Sequence, residues 1–202
     1  MSKFFEQTWW KKHLPKEGMY ETFIGWIGGE ESEDIQTCVN FVSEHKIRSM
    51  VDLGCGPCLI YNMMKEKNPD TAYYGLDSCD FFQSINEQKG INFSLGIIEE
   101  TNFRDNQFEL AYSRHVLEHL PCFEDALSEM IRISNRYVVH KFFYTPVTGR
   151  GKRKFFAEHE LYTNVYSLER VEDFLRSHEK VKSFTWGWED VATKQKALII
   201  EV

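Results

Sequence analysis

The chain has 202 residues, 42% hydrophobic and 27% charged, which suits one soluble domain with a sizeable core. Its formal net charge of −7, from 24 basic and 31 acidic residues, argues against general binding to nucleic acid or to an anionic membrane, because such binding draws on Lys and Arg. The sequence has no apolar run of membrane-spanning length, and its charged N-terminus is unlike a signal peptide. We therefore expect a cytoplasmic protein whose five cysteines are free thiols.

The predicted elements alternate between helices and strands. In chain order they are a helix over 3–13, a loop over 25–34, a helix to about 45, a strand over 50–53, a helix over 59–67, a strand over 72–77, a helix over 79–88, strands over 91–95 and 108–113, a helix over 122–133, a strand over 136–144, an irregular segment over 146–160, a helix over 167–178, and strands near 181–189 and 195–202. This alternation predicts a mainly parallel seven-stranded sheet whose last two strands form an antiparallel hairpin. Ligands of such sheets bind beyond the carboxyl ends of the strands.

The segment VDLGCGPC, 51–58, has two interpretations. Its CGPC is typical of a thioredoxin-like redox site, but Gly54 stands before Cys55 where such a site has Trp, and no proline is placed to face the thiols. Its D-x-G-x-G, from Asp52 to Gly56, is typical of a nucleotide-binding turn between a strand and a helix. The next strand ends in Asp77, a carboxylate placed to hold the hydroxyls of a ribose. The second interpretation accounts for more of the segment.

Three stretches resemble the class I S-adenosylmethionine-dependent methyltransferases. They are VDLGCGP, YYGLDS and the region 108–140, and the resemblance covers about residues 48–145. It implies a Rossmann-like methyltransferase fold with helices on both faces of the sheet, and S-adenosylmethionine as the cofactor. One domain over 1–202 is expected, with an N-terminal helical cap over 1–45 and a substrate-side insertion over 146–166.

The resemblance also implies roles for the residues at the strand ends. Gly54, Cys55 and Gly56 would wrap the methionine part of the cofactor, with Asp52 nearby, and Asp77 would bind the ribose.

The remaining cofactor contacts follow the second, third and fourth strands. Ser78 would lie by the adenine, and Ser113 and Arg114 beside the sulfonium. The family often has Gly-Asp-Ala after the third strand, where this chain has Ile97 and Ile98 after a glycine. The adenine would then rely on backbone N–H groups and apolar packing, unless a neighbouring glutamate substitutes for the missing aspartate.

His115-Val-Leu-Glu-His119 spells H-x-x-E-H, an inverted zinc-peptidase motif. The chain has no obvious glutamate motif on a helix that would supply the third zinc ligand. The methyltransferase resemblance already explains this segment, so we predict no metal site. His119 is expected to pack at a helix start. His115 is the candidate catalytic or substrate-contacting residue, because it lies nearer the expected site.

The candidate substrate contacts flank the predicted sheet. They are Trp26, as part of a lid, and His159, Tyr162, Asn164 and Tyr166 after the fifth strand. Aromatic packing beneath a loop explains the same residues equally well. The basic segment 150–154 could bind phosphate or RNA, but a solvated loop is the favoured explanation because the whole chain is acidic.

The sequence therefore predicts a methyltransferase that acts on an oxygen or nitrogen atom of a small molecule, such as a metabolite or sugar. Nucleic acid and membrane are not expected as partners. Three alternatives stay open: an RNA or protein methyltransferase that docks through 150–154, a non-catalytic cofactor-binding protein of the same fold, and a CGPC oxidoreductase.

Overall fold

A seven-stranded sheet forms the centre of the molecule in the computed structural model, which describes residues 8–26, 28–29, 32–158, 160–190 and 193–202. The strands are β1 Ser49–Leu53, β2 Ala72–Asp77, β3 Asn92–Leu95, β4 Phe108–Arg114, β5 Ser134–Lys141, β6 Phe155–Phe156, β7 Leu161–Tyr162, β8 Ser183–Gly187 and β9 Ala197–Glu201. The order across the large sheet is β3-β2-β1-β4-β5-β9-β8, and β6 and β7 form a separate two-stranded hairpin.

The first five strands are parallel, and the last two are antiparallel to their neighbours. Val51 of β1 pairs with Tyr74 of β2 on one side and with Ala111 of β4 on the other. Val139 of β5 pairs antiparallel with Ile199 of β9. Strands covered on both faces need continuous apolar runs, and Val51 and Ala111 in the two central strands are fully buried. The predicted fold class, with its antiparallel C-terminal hairpin, is confirmed.

Helices cover both faces of the sheet. They are α1 Thr8–His13, α2 Met19–Trp26, α3 Glu33–Glu44, α4 Ile60–Lys67, α5 Phe81–Gln88, α6 Glu124–Ile133 and α7 Leu168–Ser177, with a short 3-10 helix at Leu117–His119. α3 and α4 bury apolar side chains against one face of the sheet, and α6 and α7 against the other. Ser32 and Ser167 begin α3 and α7, where each hydroxyl accepts a hydrogen bond from a backbone N–H in the first turn.

Two of the elements differ from the sequence prediction. The helix α2 occupies residues for which no element was predicted, and it extends into the predicted loop 25–34. The irregular segment 146–160 contains β6, whose partner β7 follows it. The predicted helix over 3–13 is present from Thr8, and its earlier part lies outside the described residues. The assignments of 1–45 as a cap and of 146–166 as a substrate-side insertion stay predictions.

The topology brings the carboxyl ends of β1 to β5 to one edge of the sheet, in the lateral order β3, β2, β1, β4, β5. Side chains that follow different strands therefore meet there. None of the helices in the described ranges is long and apolar enough to cross a membrane.

Candidate functional site

A cavity of about 530 Å³ lies along this edge of the sheet. Its wall runs from Ile97 beyond β3, past Gly54 beyond β1, to Phe143 beyond β5, and Trp10, Phe23 and Trp26 from α1 and α2 also line it. A pocket of this size at the carboxyl ends of parallel strands is the expected place for a ligand.

The turn after β1 brings the main chain to the cavity wall. Gly54 has φ 72°, and a side chain at this position would overlap the side chain of Val116. Its N–H donates to the Leu76 carbonyl at 2.7 Å, and the N–H of Cys55 donates to the same oxygen at 3.1 Å. The N–H of Gly56 is also bonded within the protein. A ligand can therefore come close to the backbone of the turn, but these three N–H groups already have partners.

Asp77 is held rigidly at the end of β2. Its two carboxylate oxygens accept hydrogen bonds at 2.8 Å from the backbone N–H groups of Gly56 and Cys79. Burial raises its pKa, and the bonds from Cys79 and Gly56 partly offset that rise. Because a carboxylate oxygen can accept two bonds, each oxygen can still accept a ligand hydroxyl in the cavity that Asp77 lines.

Asp52 lies at the end of β1 with its carboxylate buried. The hydroxyl of Tyr73 donates to it at 2.8 Å. Burial raises its pKa from 3.8 to about 7, although the bond from Tyr73 and the charge of Arg114 oppose the rise. Asp52 therefore lines the cavity as a carboxyl group that is partly protonated near neutral pH.

The CGPC thiols pack side by side against β2. All five cysteines are free thiols, as predicted. A Cβ on Gly75 would lie 2.8 Å from the sulfur of Cys58 and 3.0 Å from that of Cys55, so only glycine leaves room for both. Burial and the adjacent Cys58 raise the pKa of Cys55 well above its ordinary value. A redox nucleophile needs a lowered thiol pKa, so this environment argues against the oxidoreductase interpretation.

The predicted adenine contacts lie together beyond β2 and β3. Ser78, Ile97 and Ile98 all line the cavity. Glu99 also lines it, and burial raises its pKa. This end of the cavity offers apolar packing and one desolvated carboxyl group.

Of the two residues predicted beside the sulfonium, the structure brings one to the cavity. Arg114 lines it and interacts with α3, through Ser32 Oγ at 3.3 Å and the Asp34 carboxylate at 3.8 Å. Ser113 does not line it: the side chain is fully buried and lies 2.6 Å from Nδ1 of His140. Alternate residues of a strand face opposite sides of the sheet, so Ser113 and Arg114 cannot share one environment.

Tyr112 is a cavity residue that the sequence analysis missed. It is 3% exposed, and its hydroxyl has no hydrogen-bond partner among the described residues. Burial raises its pKa well above the ordinary value, so the hydroxyl stays protonated as a donor. Strand parity could have found it, because residues 112 and 114 share a face of β4.

His115 follows β4 and lines the cavity. It adopts φ 57°, an unusual conformation for a residue other than glycine. Its ring packs edge-on against Phe143 with ring centres 5.1 Å apart, and its Nε2 has no partner among the described residues. Burial, together with Arg114, lowers its pKa to about 4, so the imidazole is neutral at pH 7.

The H-x-x-E-H segment does not form the helix that its zinc interpretation requires. His115 lies before the 3-10 helix, and Nδ1 of His119 donates to the Tyr162 carbonyl at 2.7 Å. Glu118 is fully buried and accepts hydrogen bonds from the N–H groups of Phe143 and Tyr144. Within the described ranges, no group of three potential ligands is arranged to hold a metal ion.

Glu118 is a second residue whose position the sequence did not reveal. Its other oxygen lies 3.6 Å from Nε2 of His140. Burial would raise its pKa, but the adjacent His140 ring outweighs that effect and lowers the pKa. Through its hydrogen bonds from Phe143 and Tyr144, the ionised carboxylate links the segment after β5 to the segment after β4.

The predicted substrate contacts take different places. Trp26 is at the cavity mouth, 61% exposed. Asn164 and Tyr166 are buried, and they donate hydrogen bonds to the carbonyls of Leu120 and Leu117. They support the 3-10 helix from beneath and do not line the cavity, which corrects the prediction of substrate contact.

Tyr162 also lies outside the cavity lining, and its hydroxyl accepts a hydrogen bond from Arg153. His159 lies outside the described residues. Packing beneath a loop, the other explanation of the segment, accounts for Asn164 and Tyr166.

Residues 51–136 match the family model of a methyltransferase domain. The comparison with curated proteins finds no match.

Similar solved structures include 1,6-didemethyltoxoflavin-N1-methyltransferase of Burkholderia thailandensis with bound S-adenosylhomocysteine. It is 12% identical, and the match covers 90% of this chain and 82% of that one with a TM-score of 0.65. DesVI of Streptomyces venezuelae is 10% identical over 90% of this chain and 95% of its own, with a TM-score of 0.66.

A third similar structure is a methyltransferase of Thermotoga maritima described as a possible histamine N-methyltransferase. It is 12% identical, and the match covers 97% of this chain and 99% of that one with a TM-score of 0.63. These identities establish a shared fold. By the family match, residues 51–136 form a methyltransferase domain, and the chain shares its fold with S-adenosylmethionine-dependent methyltransferases.

Proposed function

We propose that the chain transfers the methyl group of S-adenosylmethionine to an oxygen or nitrogen atom of a small molecule. The observation that carries this proposal is one continuous cavity whose wall contains the Gly54–Gly56 turn, the fixed carboxylate of Asp77 and, at its other end, aromatic side chains. The cofactor supplies a methyl group on a positively charged sulfur.

The residues of the cavity fit that cofactor. Asp77 would bind the ribose hydroxyls, with Ser78, Ile97 and Ile98 around the adenine. The turn of Gly54, Cys55 and Gly56 would contact the methionine part.

Three polar groups near β4 suit the charged end of the methionine. The unpartnered hydroxyl of Tyr112 and the guanidinium of Arg114 would hold its carboxylate. Asp52 would accept a hydrogen bond from its amine, which would favour the ionised form of the carboxyl group.

The chain's contribution to the reaction is alignment of the acceptor in a site that excludes water. A small acceptor is supported by the cavity volume of about 530 Å³ and by the toxoflavin-related molecule bound to the Burkholderia relative. Docking of RNA or protein through 150–154 stays an untested alternative. Two of its basic side chains pack on the hairpin's own rings, Arg153 on Tyr162 and Lys154 on Phe156.

Calorimetric titration with S-adenosylmethionine and S-adenosylhomocysteine tests the proposal. We expect micromolar binding by the native chain, and Asp77→Ala should weaken it tenfold or more, about 1.4 kcal/mol. Asp77→Asn keeps the shape and one acceptor oxygen, and should also weaken binding because it lacks the charge. Asp80→Ala is the matched control, since Asp80 is exposed and does not line the cavity. Absence of binding by the native chain would overturn the proposed function.

A further inference from the structure

We propose that the methyl acceptor is a flat aromatic molecule without positive charge, whose ring hydroxyl or ring N–H donates a hydrogen bond to Nε2 of His115. This inference rests on the proposed function, because it assigns the acceptor to the end of the cavity that the cofactor would leave open. That end lies beyond β4 and β5, where His115, Phe143 and Tyr144 line the cavity and their rings pack together in sequence.

His115 carries two features that a merely structural residue would not need. Its φ of 57° is a backbone conformation that residues other than glycine adopt uncommonly. Its buried Nε2 makes no hydrogen bond with any described residue, and a desolvated polar atom without a partner destabilises the fold. A bound molecule that hydrogen-bonds to Nε2 would remove that destabilisation.

The charges around His115 favour a neutral or weakly acidic acceptor. The titratable and charged groups that act on it are Arg114, Glu118, Asp34 and His140. Of these, Arg114 lines the cavity, whereas Asp34 pairs with Lys141 at 3.0 Å and Glu118 is buried against the N–H groups of Phe143 and Tyr144.

The carboxyl groups in the described cavity wall are those of Asp52, Asp77 and Glu99, which lie at the cofactor end. An aliphatic ammonium group would therefore lack a carboxylate partner here and would lie near Arg114. A phenol or ring N–H is neutral and needs no carboxylate partner in this part of the cavity.

The walls favour a flat ring. Phe143 is 42% exposed and Tyr144 38% exposed, and their rings stand perpendicular with centres 4.7 Å apart. The His115 ring is also edge-on to Phe143. Aromatic pairs of these geometries attract each other by more than the area that they bury accounts for. An aromatic acceptor would cover these exposed rings, and a saturated molecule of the same size would gain only from burial.

Calorimetry on the chain saturated with S-adenosylhomocysteine tests the inference with four probes. They are 2-naphthol, its saturated counterpart decahydro-2-naphthol, 2-methoxynaphthalene, which lacks the donor, and benzylamine, which is a cation at pH 7. We expect 2-naphthol to bind at least tenfold more tightly than each of the others. His115→Asn tolerates the positive φ and lacks Nε2, so it should remove the preference for 2-naphthol over 2-methoxynaphthalene. Phe143→Leu should reduce the preference over the saturated probe.

The outcomes separate the two proposals. If the native chain does not bind S-adenosylhomocysteine, the proposed function is overturned. If the cofactor product binds, three results overturn the aromatic assignment alone: equal binding of 2-naphthol and decahydro-2-naphthol, tightest binding of benzylamine, or no probe binding up to the solubility limit. Unchanged affinity of the two variants for S-adenosylhomocysteine checks that they are folded.

Discussion

At the scale of single residues, burial acts on the acidic groups of the cavity in different ways. Asp77 keeps two backbone donors at 2.8 Å, which oppose the rise that burial causes in its pKa. Asp52 has one hydroxyl donor, and its pKa reaches about 7. The carboxyl group that would face the cofactor's amine is therefore the one that the folded chain finds costly to ionise in the absence of a ligand.

Asp52→Asn tests this cost through stability. The pKa of Asp52 is higher in the folded chain, so the folded state holds more protons than the unfolded state between pH 3.8 and about 7. Its contribution to stability is consequently present at low pH and falls as the pH rises through that window. The full difference is at most about 4 kcal/mol. Asn keeps an acceptor for Tyr73 and has no charge, so the variant should be more stable than the native chain at pH 8 and nearly equal at pH 4.

Urea denaturation at the two pH values measures this difference. Asp70→Asn is the control, because Asp70 is exposed. A variant less stable than the native chain at pH 8 would show that the carboxylate is well compensated in the fold. The same variant should lose affinity for S-adenosylmethionine, which is the usual exchange of stability for function at a binding site.

The thiol of Cys55 gives a second residue-scale prediction. Because burial raises its pKa, very little thiolate is present at pH 8. Alkylation of Cys55 by iodoacetamide, followed by peptide mass spectrometry, should be at least tenfold slower in the folded chain than in urea. Exposed-thiol rates, or ready formation of a Cys55–Cys58 disulfide with glutathione disulfide, would instead support the oxidoreductase alternative.

At the scale of elements, the acceptor end of the cavity depends on segments that lie outside its lining. Tyr166, just before α7, donates to the Leu117 carbonyl at 2.6 Å, and Asn164 donates to the Leu120 carbonyl at 2.7 Å. These bonds fix the 3-10 helix between β4 and α6, and Glu118 of that helix holds the backbone of Phe143 and Tyr144. The positions of Phe143 and Tyr144 are thus set by contacts between three segments that are distant in sequence.

Tyr166→Phe measures this support. It removes the hydroxyl and leaves the Leu117 carbonyl without that donor, so it should lower the free energy of unfolding by about 1–2 kcal/mol. Tyr162→Phe is the matched control, since its hydroxyl is at the surface beside Arg153, and it should change stability by less than about 0.5 kcal/mol. Equal effects of the two variants would contradict the supporting role of Tyr166.

At the scale of the whole molecule, the elements and site residues that depend on a few neighbouring residues were predictable from the sequence. Apolar runs such as MVDL predicted the strands, and apolar side chains at helical spacing predicted α3 and α7. The position of Asp77 followed from a strand end. The supporting roles of Asn164 and Tyr166 and the buried contact of Glu118 with His140 were not predictable, because each joins residues more than 20 apart in sequence. The helix α2, MYETFIGW, has apolar side chains around most of its circumference, so its sequence shows no single apolar face to detect.

The cavity joins elements across the whole molecule, so a cofactor that fills it should stabilise the fold globally. Its wall includes the ends of β1 to β5 and side chains of α1 and α2, which makes contacts across the sheet and with both N-terminal helices available to one ligand. A ligand at 100 times its dissociation constant adds about 2.7 kcal/mol to the free energy of unfolding. For a chain of this size, that gain corresponds to a rise in Tm of about 5–10 °C.

S-adenosylhomocysteine should produce this rise in calorimetry, and hydrogen exchange should slow both after β2 and in α2. Adenosine and methionine, added separately at the same concentration, should each give a smaller rise, because each reaches only one part of the wall. Protection confined to the β2 end would show that the N-terminal helices do not contribute to cofactor binding.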